Sequence, residues 1–211
     1  MKKSTLLIAA VLSAAAVHAD EGMWTLYDLP QAVYNQMQGY GFSVPYDGLY
    51  AGPDAIKNVV LNFGGFCSGV VVSPDGLVFT NHHCGFGAIN AHSTVEHDYM
   101  KNGFFAKTYA DELPNEDLFV SFMVEQKDVT DRLSQMGIYD MKPSRQADFV
   151  DSLENAWSKE VKQKDSTLRL EIKPFYEGNK YYATTYRDFR DVRLVFTVPK
   201  SMGKFGGETD N

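Results

Sequence analysis

The residues with the clearest chemical potential are two adjacent histidines, His82 and His83, which directly precede Cys84. An imidazole suits general-base catalysis because it exchanges a proton near neutral pH. In an extended segment, neighbouring side chains point to opposite faces, so at most one of the two rings can enter a given cleft. The sequence therefore offers a candidate base beside a cysteine that can hold it in place.

Three other interpretations of this region stay open on sequence grounds. Histidines in loops are often exposed and have no catalytic role. Ser68 has the type of a nucleophile, but it lacks a G-x-S-x-G pattern and adjoins Cys67, so we interpret it as a structural residue. A metal site is the third alternative, although the chain lacks the H-E-x-x-H pattern and closely spaced cysteines. Its ligands would be the four histidines His82, His83, His92 and His97.

The segment between Cys67 and Cys84 is predicted to form a β-hairpin. A β-branched run over 69–73 and a second short run over 77–80 flank the turn signal Pro74-Asp75-Gly76. Paired strands bring the ends of a hairpin together, so a disulfide between the two cysteines is geometrically reasonable. Such a disulfide would hold the histidines at the exit of the hairpin on a rigid edge.

The first nineteen residues have the pattern of a secretory signal peptide. Lys2 and Lys3 form a positive start, an apolar run covers 6–17, and Val17-His18-Ala19 is a small-x-small cleavage site. An uncleaved membrane anchor is the alternative, but the run is too short to span a bilayer. We therefore expect a mature chain from Asp20 that is exported to an oxidising compartment and is not held in a membrane. A disulfide is the default for two cysteines in that oxidising compartment.

Composition excludes several classes of protein. The 211 residues are 44% hydrophobic and 22% charged, which is unlike a disordered chain, a collagen-like repeat or a polytopic membrane protein. The formal net charge is −7 and there is no basic run, which argues against nucleic acid as a partner.

The pattern along the chain predicts a mainly β fold with inserted helices. A helix within 20–40 should stop at Gly39 and Gly41, another is predicted near 93–100, and 129–164 should form two helices broken near Pro143. The segment from Ser201 to Asn211 shows no element of its own. Besides the hairpin, five strands are predicted, over 59–63, 118–124, 168–176, 180–186 and 192–198.

Several long strings carry a resemblance to a known family. A strand, a turn, a second strand and then histidine followed by cysteine, with a partner cysteine ahead, resembles the chymotrypsin-like serine peptidases around their catalytic histidine. The resemblance is closer to the bacterial exported dipeptidyl-peptidase family that includes dipeptidyl peptidases seven and eleven. The strings that carry it are DEGMW (20–24), FGGFCSGVVVSPDGLVFTNHHCGFGAI (63–89), HSTVEHDYMKNGF (92–104), ADELP (110–114) and SMGKFGGETDN (201–211).

This resemblance implies an exopeptidase that removes dipeptides from the free N-terminus of oligopeptides without a metal or other cofactor. It implies a chymotrypsin-like β-barrel peptidase domain, with residues 20–211 as the N-terminal part and first barrel, and a second barrel and a helical cap domain in the full-length family. By position, His83 matches the catalytic histidine, and Asn211 matches the asparagine that holds the substrate's α-amino group. The resemblance also implies that the exported chain lies in the periplasm or at the cell surface of a bacterium, and it allows a homodimer of the full-length protein.

The chain departs from the family pattern in length. The family's catalytic aspartate and nucleophilic serine lie beyond the motif that ends at Asn211, so we expect a truncated first barrel that is inactive alone. The string over 41–50 favours the type that prefers hydrophobic residues before the cut over the type that prefers acidic ones. A non-catalytic exported binding module on a peptidase-like barrel is the alternative function.

Overall fold

The computed structural model describes residues 24–203, which fall into two compact units divided after Phe42. The signal peptide and Asn211 lie outside the described residues. The strands are β1 (Val60–Phe63), β2 (Cys67–Val71), β3 (Val78–Thr80), β4 (Phe104–Phe105), β5 (Leu113–Asn115), β6 (Val120–Asp128), β7 (Leu168–Phe175), β8 (Lys180–Phe189), β9 (Val192–Leu194) and β10 (Phe196–Thr197). The α-helices are α1 (Gln31–Gly39), α2 (His82–His92), α3 (Tyr99–Asn102), α4 (Thr130–Gln135), α5 (Pro143–Lys164) and α6 (Lys200–Gly203).

The first unit is built on the predicted helix, α1. Tyr34 is buried, and its ring meets that of Phe42 edge to face at 6.3 Å. The helix ends as its glycines predict, because Gly41 adopts a φ of 95° that favours glycine, and its N–H donates to the carbonyl of Gln38.

The second unit is organised by a six-stranded antiparallel sheet with the order β3-β2-β1-β6-β8-β7. Two small antiparallel pairs, β4 with β10 and β5 with β9, accompany it. The predicted hairpin is present, with Gly69 opposite Thr80 and Val71 opposite Val78. This antiparallel architecture with inserted helices agrees with the predicted fold class.

The long helix α5 covers one part of the sheet. Pro143 begins it, and its apolar residues repeat at helical spacing, so one stripe packs on β7. Glu154 on this helix also accepts a hydrogen bond from the backbone N–H of Ile172 at 2.8 Å. The break of 129–164 into two helices at Pro143 is therefore confirmed. The helix and the sheet share a cluster of buried hydrophobic residues, which contains Leu133, Ile138, Val150, Trp157, Leu170, Ile172, Tyr181 and Ala183.

A second buried cluster lies beside the hairpin and contains Leu61, Phe63, Cys84 and Val120. It joins β1, β6 and the first turn of α2 through side-chain packing. Gly69 is buried against this cluster, and a Cβ built there would lie 2.9 Å from Cδ1 of Leu61. A methyl group at this position would therefore force the buried side chain of Leu61 to shift.

The start of α4 is marked by an acidic residue, Asp128, at the end of β6. Its carboxylate accepts from the backbone N–H of Thr130 at 2.9 Å and lies 3.4 Å from Nζ of Lys180. Partial burial acts to raise the pKa of Asp128, but the bonds from Thr130 and Lys180 outweigh it and hold this pKa below its ordinary value.

Four local predictions are wrong. The single strand predicted over 192–198 is two short strands, β9 and β10, which pair with β5 and β4 respectively. The helix near the second cysteine covers His82–His92 and not the region around 93–100, where a short helix begins only at Tyr99. His82 and His83 consequently lie in a helical turn and not in an extended segment. The helix α6 includes Ser201, so the last segment is not wholly without an element.

Within residues 24–203, no helix has both the length and the apolar character needed to cross a membrane.

Candidate active site

The first turn of α2 is fixed to the hairpin by a disulfide. Cys67 opens β2, Cys84 is the third residue of α2, and the two are bonded with a Cα–Cα distance of 6.1 Å. The disulfide expected from the sequence is thus present. Cys84 is also buried in the cluster beside the hairpin, so this end of the helix is held both covalently and by packing. The histidines that precede Cys84 therefore lie on an anchored turn.

The two histidines have different surroundings. His82 is half-buried, and its ring meets that of Phe86 edge to face at 6.4 Å. His83 is exposed and lines a groove on the surface of the second unit. Successive residues of a helix are rotated by about 100°, which is enough to separate the two rings even though the segment is not extended. The structure thus directs His83, and not His82, into an open space.

The groove beside His83 has a volume of about 580 Å³. One wall is a face of α2, and the opposite wall is the segment 114–118, which runs from β5 towards β6. At the far end, Nε2 of His92 lies 3.1 Å from Oδ1 of Asn115, whose amide donates in turn to the carbonyl of Val192 at 3.1 Å. These bonds tie the end of α2 to the β5–β9 pair and fix the width of the groove.

Within residues 24–203, the ring of His83 shows no hydrogen bond to another residue. Both ring nitrogens are therefore open to groups outside that range or to a substrate. A histidine that acts as a general base needs both nitrogens accessible, because one accepts the proton of the nucleophile while the other donates a hydrogen bond to the group that orients the ring.

The metal alternative finds little support in this geometry. In the described part of the chain, the one group of three potential ligands that lie within 4.8 Å of one another is Cys67, His83 and Cys84. Both of its sulfurs are in the disulfide, so they offer no thiolate to a metal. His92 is bonded to Asn115, and His97 stacks on Tyr99 with ring centroids 6.1 Å apart.

Ser68 lies in β2, opposite Asn62 of β1, and its carbonyl accepts a hydrogen bond from the hydroxyl of Thr80 at 2.7 Å. It does not belong to the lining of the groove. Its position in the strand agrees with the structural interpretation.

Sequence reasoning missed the acidic side of the groove. Glu116 and Asp117 are exposed and line the groove, and no lysine or arginine in the described part of the chain lines it. The signal was present as adjacent acids after a proline and an asparagine, but nothing in the sequence alone placed that segment opposite α2.

Comparison with known proteins places this chain among the peptidases. The chain belongs to the peptidase S46 family, whose sequence model matches residues 19–211. The dipeptidyl-peptidase 7 of Porphyromonas endodontalis is 43% identical over 194 residues, which cover 92% of this chain and 24% of the relative. The Asp/Glu-specific dipeptidyl-peptidase of Porphyromonas gingivalis is 42% identical, over 100% of this chain and 30% of the relative.

Solved structures give the same result at the level of the fold. The crystal structure of Porphyromonas endodontalis DPP11 in complex with substrate matches with a TM-score of 0.80 and 38% identity, and the match covers 91% of this chain and 29% of that one. The DPP11 structure in complex with the dipeptide Arg-Glu matches with a TM-score of 0.77. The chain thus spans less than a third of the length of these relatives.

Proposed function

We propose that this chain is the N-terminal part of a serine-type dipeptidyl peptidase that releases dipeptides from the free N-terminus of oligopeptides. The observation that carries the proposal is the position of His83, exposed at the edge of a groove on a turn anchored by the Cys67–Cys84 disulfide. Membership of the S46 family and relatives named dipeptidyl peptidases support it.

In the proposed mechanism, His83 acts as the general base. It takes the proton of a serine hydroxyl as that oxygen attacks the scissile carbonyl, and it then gives the proton to the leaving amine. By the family resemblance, the serine and the aspartate that orients His83 follow Asn211 in the complete protein. The 211-residue chain by itself is then expected to release no dipeptide, because base and nucleophile act as a unit.

The proposal extends to fold, substrate binding and location. The sheet and the two small strand pairs would form the first barrel of a chymotrypsin-like domain over 20–211, and Asn211 would accept a hydrogen bond from the substrate's α-ammonium group. Residues 1–19 would direct export to the periplasm or cell surface. The string over 41–50 supports a hydrophobic residue before the cut, and relatives named dipeptidyl-peptidase 7 and Asp/Glu-specific dipeptidyl-peptidase have similar identity to this chain.

A comparison of histidine variants in the full-length protein tests the proposal. Turnover of dipeptidyl p-nitroanilides with a free amine should fall by about 10³-fold or more in His83→Ala. The loss of turnover should be smaller in His82→Ala. The control variant His97→Ala changes an exposed histidine outside the groove and should keep wild-type turnover. Circular dichroism should show that all three variants are folded.

Two results would contradict the assignment. If His82→Ala lost more activity than His83→Ala, the wrong member of the pair has been chosen. A full-length wild-type protein that bound oligopeptides but released no dipeptide would favour the alternative of a non-catalytic binding module.

A further inference from the structure

The groove beside His83 follows one face of α2 over most of its length. Its lining includes His83 in the first turn, Gly87, Ala88 and Ala91 in the middle, and His92 at the end. The middle residues are small, so an extended peptide backbone can lie close to the helix. From His83 to His92 the helix rises by nine steps of about 1.5 Å, or about 13.5 Å, which equals the length of roughly four residues of extended peptide.

The opposite wall gives this groove a charge. Glu116 and Asp117 are exposed and line it, and neither forms an ion pair within residues 24–203. Among residues 24–203, no lysine or arginine lines the groove to neutralise them. The groove therefore favours a cationic ligand over an anionic one.

The chemistry of His83 indicates which part of a substrate lies there. This step rests on the proposed function. A histidine that returns its proton to the leaving amine must lie within hydrogen-bond reach of that nitrogen. The residues that follow the scissile bond therefore begin at His83, and the groove along α2 offers them a path.

We propose that this groove binds the leaving part of the peptide substrate and that Glu116 and Asp117 select for lysine or arginine in the residues after the first position beyond the cut. The specificity is additional to any preference for the residue before the cut. The acidic side chains are exposed, so their effect on kcat/KM is modest and is screened by salt.

A substrate series with the full-length protein tests this inference. Heptapeptides with a free N-terminus share their first three residues and carry Lys-Lys, Gln-Gln or Glu-Glu at the second and third positions after the cut. Dipeptide release is quantified by mass spectrometry. A dipeptidyl p-nitroanilide, which has no residues beyond the cut, measures the proposed function by itself.

Wild-type protein should favour Lys-Lys over Gln-Gln by about three- to tenfold in kcat/KM at low salt, and Glu-Glu should be poorest. The preference should shrink in 0.5 M salt because exposed charges are screened. The variant Glu116→Gln/Asp117→Asn should lose most of the preference and still cleave the nitroanilide normally. Its matched control is Asp148→Asn/Asp151→Asn, which removes two exposed charges from α5, outside the groove, and should retain the preference.

Three outcomes would overturn the inference. Equal cleavage of the Lys-Lys and Gln-Gln peptides, together with normal cleavage of the nitroanilide, would refute it and leave the proposed function intact. An equal loss on peptide and nitroanilide in the Glu116→Gln/Asp117→Asn variant would show that these acids serve the dipeptide side of the site. Failure to cleave any substrate would remove the proposed function and this inference with it.

Discussion

Replacement of Cys67 and Cys84 by alanine should loosen the turn that carries His83. The disulfide links residues 17 positions apart, and the entropy of closing such a loop corresponds to about 3 kcal/mol at 25 °C. Since each 1.4 kcal/mol is a factor of ten in an equilibrium constant, local opening of this region should become more frequent by on the order of a hundredfold.

Native-state hydrogen exchange, followed by mass spectrometry, measures this opening directly. Backbone amides of β2, β3 and α2 should exchange faster by about that factor in the double variant than in the wild type. Peptides from β7 and β8 are the internal control, because they pack with α5 in the cluster that does not contain the disulfide.

A reducing agent gives a second control. It should accelerate exchange in the wild-type protein and have no effect on the variant, which has no cysteine left. The reasoning is refuted if β7 and β8 lose protection by the same factor as α2, because the disulfide would then stabilise the whole sheet and not the turn at His83. An unchanged exchange rate in α2 would show that packing of the buried cluster is sufficient to hold it.

Three further predictions concern single residues. Gly69→Ala should lower the melting temperature and the free energy of unfolding, the latter by about 1–3 kcal/mol, because its Cβ would lie 2.9 Å from Cδ1 of Leu61. Gly85→Ala in α2 is the control, since that position has room for a methyl group, and it should be neutral or stabilising. The pKa of Asp128 is lowered, so its stabilising contribution is present above about pH 4 and is lost as the pH falls. Urea titrations should therefore show that Asp128→Asn loses less free energy of unfolding than the wild type between about pH 5 and pH 3, by less than about 1 kcal/mol. An identical loss in both proteins would contradict this. In the full-length protein, Asn211→Ala should cost roughly 1.5–3 kcal/mol in kcat/KM for substrates with a free amine, and an equal loss on N-terminally blocked substrates would show that Asn211 supports the fold instead.

The longer strands were predictable because local signals determine them, whereas the two- and three-residue strands β4 and β5 were not predicted. The β-branched run over 69–73, the Pro74-Asp75-Gly76 turn and the alternation of apolar and charged residues over 168–173 each favour antiparallel pairing within a few residues. Pro143 likewise marks a helix start, because proline fits the first turn of a helix and disfavours helical geometry in the residue before it.

The helix α2 was not predicted because its stability is not local. Its sequence contains Gly85 and Gly87, which are poor helix formers, and shows little amphipathic pattern. What holds it is tertiary, namely the disulfide at Cys84 and the burial of Cys84 and Ile89. The acidic wall of the groove was missed for the same reason, since the contact of 114–118 with α2 depends on long-range pairing.

The order of strands in the sheet has a consequence for how this protein folds. Short connections join β1 to β2 and β2 to β3, and a short turn joins β7 to β8. The neighbouring strand β6 is connected to β7 by the long insertion that contains α4 and α5. The two halves meet where β1 pairs with β6, which requires Leu61 to find Phe122. Contacts between residues so distant in sequence form slowly, because loop-closure entropy must be overcome first. His83 follows the first half, and the acidic segment 114–118 leads into β6 of the second half, so the groove forms only when the two halves join.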